Sequence, residues 1–366
     1  MKVYIVNRDY YDFDSQTIKI GGIQTYTTDL SQICKGLFDD VTIFVKDEKE
    51  RTAVVNGCKL VGYNIKEGKG WTSRLAKYVR KNTTLEDLII YYTDTALPNT
   101  YMGNNSIVIQ HGICWDIPRL NNHSLFRMVL AKGVEAYRIL KRIQAAKAVV
   151  CVDYNFPNWY RTQVDKPHGN LYVIPNYAQI APIVEKPKEI VNIIFSRRLC
   201  WYRGTRVFVE AIKPILNTFP NVHVTVAGDG PDEQWMREQL SVYPNVSFTK
   251  YTTGESLKIH SDKHIAIIPT VGSEGTSLSL LEAMSAQCAV ICTDVGGMTN
   301  IVLDGYNGKI VSSGDANELS CAIKALVENE VERERIAHNG YITVKESFSY
   351  EKWSERWKSV LKEFNV

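Results

Sequence analysis

The chain has 366 residues, enough for two domains of ordinary size, and its 45% hydrophobic and 23% charged side chains exclude a disordered or fibrous protein. A net charge of +3 is too small to signal nucleic acid, and no run of 18 apolar residues marks a membrane span. Eight cysteines stand singly without zinc-like spacing, and Met1-Lys-Val-Tyr-Ile-Val6 starts a strand rather than a leader, so reduced thiols in the cytoplasm are expected.

Residues 2–6 read as a buried strand, followed by a polar loop that holds Asp12-Phe-Asp14. Gly21-Gly22 then leads into a helix that runs to about Gly36. Such a pair either makes a plain turn or brings backbone close to a ligand. Residues 41–45, 88–92 and 106–110 are strands, and their alternation with helical stretches predicts an open parallel sheet. Ligands of such sheets sit beyond the C-terminal strand ends, which is where His111, Gly112 and Asp116 fall.

Residues 51–150 carry nine more basic than acidic side chains. Trp71, Arg74, Lys77, Arg80 and Lys81 cluster there, and they predict attachment to an anionic surface. Residues 124–148 interleave Arg127, Lys132, Arg138, Lys141, Arg142 and Lys147 with Leu125, Phe126, Val129, Leu130, Ala136 and Ile139. That stretch is either the solvated face of a surface helix or a membrane-surface patch. Residues 148–152 and 171–176 follow as extended segments, and residues 178–189, with Pro182 and Pro187, read as an interdomain linker.

The second half opens with a strand at residues 190–195, then Ser196-Arg-Arg-Leu-Cys-Trp-Tyr-Arg-Gly204, whose Arg198 and Arg203 could grip a diphosphate. A strand at residues 222–227 runs into Gly228-Asp-Gly230. After the apolar run 264–270 come Gly272, Ser273, Gly275, Thr276 and Ser277, and a helix opens at Leu278. Small residues before a helix start suit a phosphate. Glu274 and Glu282 would repel an anion alone, but they suit hydroxyls on either side of the phosphates, as in a nucleotide-sugar. Residues 317–328 and 331–365, the latter with Phe348, Trp353 and Trp357, read as closing helices.

Glu274-Gly-Thr-Ser-Leu-Ser-Leu-Leu-Glu282-Ala-Met284 resembles the Glu-x7-Glu motif of retaining GT-B glycosyltransferases of family 4, the group 1 type. Thr276 and Ser277 stand where the family often has Phe-Gly. Arg198-x4-Arg203, Gly228-x-Gly230, Gly296-Gly297 and the Asp304 to Gly308 hairpin are similar to the family at matching intervals. The likeness is dense from Asn192 to Val311 and thin before it.

The resemblance implies an α/β chain of GT-B fold, with two Rossmann-like doubly wound domains facing a cleft. Residues 1–180 would be the acceptor domain, 181–345 the donor domain, and 346–366 a C-terminal helix packing back on the first. It implies catalytic roles for His111, Arg198, Arg203 and Glu274. Gly21, Gly22, Gly228, Gly230, Gly275, Thr276, Ser277, Leu278 and Glu282 would bind the donor, and Asp116 would lie on the acceptor side. No metal or cofactor is implied. The expected partners are a nucleoside-diphosphate sugar and a saccharide or lipid-linked saccharide acceptor, in surface polysaccharide assembly, with peripheral contact at the inner face of an anionic membrane. A sugar-nucleotide 2-epimerase and a non-catalytic subunit share the fold. A nicotinamide enzyme would need a Gly-rich loop where Arg8-Asp9-Tyr10 stands.

Overall fold

The computed structural model describes residues 1–19, 21–66, 68–96, 105–113, 124–272 and 274–364. The chain divides into two compact units, one made of Met1–His111, Asn121–Pro175 and Trp353–Val366, the other of Gly112–Leu120 and Asn176–Lys352.

In the first unit the strands are β1 (Lys2–Val6), β2 (Tyr11–Asp12), β3 (Thr17–Ile18), β4 (Asp40–Lys46), β5 (Thr52–Val55), β6 (Cys58–Tyr63), β7 (Leu88–Tyr91), β8 (Ser106–Gln110), β9 (Ala148–Cys151) and β10 (Leu171–Val173). Its helices are α1 (Gly22–Lys35), α2 (Trp71–Asn82), α3 (Leu125–Ile143) and α4 (Asn155–Arg161). Among the described residues the main sheet runs β10-β9-β8-β7-β1-β4-β6-β5, parallel except for β5 against β6. The order reverses beside β1, with β4 on one side and β7 on the other. Val3, Ile5, Ile43, Val45, Ile90, Ile107 and Val149 are all buried, because a parallel sheet is covered on both faces and its strands are apolar runs rather than alternations. The sequence reading passed over β5 and β6, where Lys59 and small polar residues interrupt the apolar signal.

The Asp12 and Asp14 pair lies at the turn of the β2–β3 hairpin. Asp12 Oδ1 accepts from the backbone of Asp14 at 2.8 Å, and Asp14 Oδ1 meets Arg51 at 2.6 Å. Helix α2 buries Thr72, Leu75, Ala76 and Val79, while Arg74 donates to the carbonyl of Lys66 at 2.6 Å.

The second unit holds β11 (Val191–Ser196), α5 (Thr205–Thr218), β12 (Val222–Ala227), α6 (Glu233–Leu240), β13 (Val246–Thr249), α7 (Ser256–His260), β14 (Ile265–Ile268), α8 (Leu278–Ser285), β15 (Ala289–Thr293), β16 (Lys309–Val311), α9 (Ala316–Glu328) and α10 (Glu330–Ser347). Its strands run β13-β12-β11-β14-β15-β16, all parallel. Here the order reverses between β11 and β14. The core on one face joins Phe195 and Ile267 to Phe208, Ile212, Leu319 and Ile323.

The stretch 331–365 is two helices, not one. It breaks at Phe348–Ser349, where Ser349 bridges to Ala178, and α11 (Tyr350–Lys362) starts afresh. From Trp353 onward α11 belongs to the first unit. Trp353 and Trp357 are buried there, and the Trp357 indole donates to the Tyr26 hydroxyl at 2.8 Å.

Candidate functional site

The second sheet's reversal point gathers the charges. Strand β11 ends at Ser196, so Arg197 leaves the sheet at that point. Strand β14 ends two residues before Thr270 and six before Glu274. Open parallel sheets place ligands at such a reversal. Arg197 Nη2 contacts Glu274 Oε2 at 2.6 Å, and Arg203 Nη1 donates to the same oxygen. Arg197 Nη1 donates to the Thr270 hydroxyl, which lies 3.3 Å from Glu274 Oε2. Burial works to raise the Glu274 carboxyl, but Arg197 and Arg203 outweigh it and hold the group below the ordinary carboxylate value. Burial also pulls the Arg197 guanidinium down, and Glu274 opposes that. The cluster is a buried carboxylate shared by two guanidiniums.

Close backbone packing explains why these side chains meet. Gly204 has φ +85°, and a Cβ there would strike the Pro269 carbonyl, so the loop after β11 lies flush against the end of β14. Val271 N donates to the Tyr202 carbonyl at 2.9 Å and ties the two loops together. Gly228 and Gly230, at φ +135° and +151°, press in the same way on the carbonyls of Arg197 and Leu199. The Gly296-Gly297 turn buttresses the other side, with Gly297 N on the Glu274 carbonyl at 3.0 Å.

Helix α8 opens beside this cluster. Gly275 is half-buried, Thr276 and Ser277 are buried, and Leu278 is the first helical residue. The Thr276 carbonyl accepts from Asn176 at 2.7 Å. Ser277 is the N-cap, yet its hydroxyl makes no cap bond. Among the described residues the buried Ser277 Oγ, Asn176 Oδ1 and Arg197 Nε have no hydrogen-bond partner. Native interiors seldom leave such atoms unpaired, so a polar ligand that reached them would complete their bonding.

Glu282 sits further along α8. Burial pushes its carboxyl up to about 7, and Ser256 partly opposes this. Tyr251 lies near enough for Glu282 to raise its phenol after burial has done so. Behind them His260 is fully buried, with its ring nitrogens on the Ser196 hydroxyl and the Ser256 carbonyl, each at 2.7 Å.

In the first unit, His111 follows β8. Burial drives its imidazole down to about 4, so the ring is neutral near pH 7. Its Nε2 is buried, with no hydrogen-bond partner among the described residues. The ring meets Tyr26 of α1 edge-on, with centroids 5.4 Å apart. Gly21 caps α1 and Gly22 opens it, one turn before Tyr26, so the Gly pair and His111 lie at one end of this sheet. Asp116, and Ser273 before Glu274, lie outside the described residues.

Arg198 is exposed. The guanidinium buried against Glu274 is that of its neighbour Arg197, which the sequence reading passed over. Successive side chains leaving a strand point to opposite sides, so one arginine of the pair must enter the cluster, and the sequence holds no signal for which. Tyr251 and His260 were also missed, since each looks like an ordinary core residue.

Residues 191–329, within the second unit, match the family model described as glycosyl transferases group 1. The chain is 28% identical over 191 residues to the Staphylococcus aureus capsular polysaccharide biosynthesis glycosyltransferase CapM, covering 49% of this chain and 50% of that protein. It spans half or less of the length of the curated relatives it matches. The architecture of the whole chain is GT-B. It is similar to the sucrose-phosphate synthase of Thermosynechococcus elongatus at TM-score 0.79 and 14% identity, over 99% of this chain and 98% of that one. Anabaena HepE, solved with UDP-glucose, gives 0.72 and 16% over 99% and 100%.

Proposed function

We propose that this chain is a retaining glycosyltransferase, moving a sugar from a nucleoside diphosphate to an acceptor hydroxyl with its anomeric configuration kept. The observation that carries this reading is the Arg197–Glu274–Arg203 cluster beside the start of α8. Arg203, with the free valence of Arg197 Nε, would take up charge on the leaving diphosphate, and the first N–H groups of α8 and the Ser277 hydroxyl would add to it. Arg198 at the exposed side of the same loop would meet the outer phosphate. Glu274 would hold the transferred sugar's hydroxyls and Glu282 the ribose. His111, a neutral imidazole with a free nitrogen, would sit against the sugar.

Retention fits a front-face substitution, in which the leaving phosphate takes the acceptor proton and the protein supplies position and charge. No metal enters this reading. Asp12 is occupied by the hairpin turn and Asp14 by Arg51, and the guanidiniums would supply the positive charge that a diphosphate needs. The names of the relatives point to surface polysaccharide assembly and to a UDP-sugar as the first donor to try.

The test is a thermal-shift panel of UDP, GDP, ADP and dTDP with their sugars, since a ligand at a hundred times its dissociation constant stabilises by about 2.7 kcal/mol. One nucleotide should stand out, and its sugar should transfer to a saccharide acceptor in EDTA, with the product anomer read by NMR. Binding followed by interconversion of the donor without acceptor would make the chain an epimerase. Binding of no nucleotide would leave a non-catalytic subunit.

A further inference from the structure

Helix α3 has one apolar face that is exposed among the described residues. Leu125, Phe126, Val129, Leu130, Val134 and Tyr137 are 71%, 75%, 59%, 56%, 42% and 66% exposed, while the helix buries only Ile139 and Ile143. At about 100° per residue the six share one half of the helix surface. Scattered exposed apolar side chains need no explanation, but a contiguous stripe of six does. Arg127, Arg138 and Lys141 border the stripe on one side and Lys132 lies toward the other. With Arg142 they make five cations against the single acid of the helix, Glu135.

Helix α2 is the contrast. It is equally basic, but its apolar side chains face the core and Arg74 is tied to backbone carbonyls. Among the described residues only α3 combines outward cations with an outward apolar stripe.

We propose that α3 docks the chain on an anionic lipid bilayer, lying in the interface plane with its stripe at the acyl boundary and its cations among the lipid phosphates. Nineteen residues make a helix about 28 Å long. Among the described residues no helix is long and apolar enough to cross a membrane, and a helix with this charge lies on the surface. The charge pattern also decides against a second copy of the chain as occupant, because two cation-bordered stripes set face to face would bring like charges together. The sign suits phospholipid, and each basic side chain near such a surface changes binding about fivefold. This surface is independent of the transfer reaction, and its test needs neither donor nor acceptor.

The experiment is flotation of the full chain with vesicles of phosphatidylcholine alone or mixed with phosphatidylglycerol. Binding is expected on the mixed vesicles only, and it should fade in molar salt, where the screening length falls to about 3 Å. Phe126→Glu with Leu130→Glu should lower binding at least tenfold, and Arg138→Ser with Lys141→Ser about fivefold per cation removed. Arg74→Ser with Lys77→Ser in α2 should change nothing. The α3 side chains changed are exposed, so circular dichroism should show an intact fold. Equal binding to neutral vesicles, no binding at all, or loss through the α2 variant instead of the α3 variants would overturn the proposal. So would a dimer in light scattering that Phe126→Glu dissolves, since the stripe would then belong to a second copy.

Discussion

The two sheets end in different chemistry. Beyond β11 and β14 a buried carboxylate is shared by two guanidiniums, and the loops that carry them are pinned by glycines pressed on carbonyls. Beyond β8 stands a neutral imidazole against a tyrosine, with the Gly pair at the start of α1. The family match covers the charged end and stops short of the neutral one. A diphosphate is the same chemical problem in every donor, and it demands cations in fixed places. A sugar acceptor varies, and it asks only for shape and a few hydrogen bonds. If the charged end takes a donor diphosphate and the neutral end an acceptor, as proposed, the neutral end can drift in sequence while the charged end cannot, which is a reason for the match to fall where it does.

The largest expected effect tests whether burial distinguishes the two adjacent arginines. Arg197→Ala strips one partner from a buried carboxylate and should cost about 3–5 kcal/mol in urea unfolding. Arg198→Ala, at an exposed position, should stay within about 0.5 kcal/mol. Equal costs would mean the Glu274 cluster is not what holds these loops.

Next come the two glutamates, which should divide sugar from nucleotide. Glu282→Ala should weaken free nucleoside diphosphate and intact donor alike, by roughly ten- to a hundredfold for the loss of a charged hydrogen bond. Glu274→Gln, which keeps an oxygen for Arg197 and Arg203, should affect diphosphate affinity less than it lowers kcat, because a contact that tightens as the glycosidic bond breaks appears in turnover. Calorimetry beside donor kinetics reads both, and the opposite pattern would exchange the two roles.

A smaller effect follows from the Glu282 carboxyl, which burial raises to about 7. If Glu282 holds the ribose as proposed, its ionised form is the stronger acceptor for both hydroxyls. Diphosphate affinity should therefore fall as the pH drops through about 7 toward the ordinary carboxyl value near 4.5. Glu282→Gln should bind more weakly at high pH and show a flatter profile. An unchanged profile in that variant would place the titrating group elsewhere, the nucleotide's own phosphate included.

The smallest effect belongs to the neutral end. His111 is held down to about 4 from an ordinary 6.5, so the unfolded chain takes up a proton there before the folded one does. Its contribution to stability is complete above pH 6.5 and is lost as the pH falls toward 4. His260 and His264 are shifted to about the same value and add their own loss. His111→Ala should thus soften the acid slope of the unfolding free energy without removing it, and leave diphosphate affinity unchanged. A change in that affinity would break the division between the two ends.

Much of the fold was legible in advance, because strands buried on both faces are written as uninterrupted apolar runs. Residues 2–6, 106–110 and 222–227 became strands within a residue or so of expectation. The glutamates, the glycines and Arg203 could be found because small residues and charges between a strand and a helix are rare without a reason. What the chain order could not specify was decided in three dimensions. Which of Arg197 and Arg198 turns inward depends on the twist with which β11 ends and on the glycine loop packed against it. Whether a basic amphipathic helix hides its apolar face depends on what covers it, and α2 is covered where α3 is not. Periodicity fixes which side chains share a face of a helix or strand. Only the packing of one element on another determines which face is covered, which carboxyl is desolvated, and which pair of charges must meet.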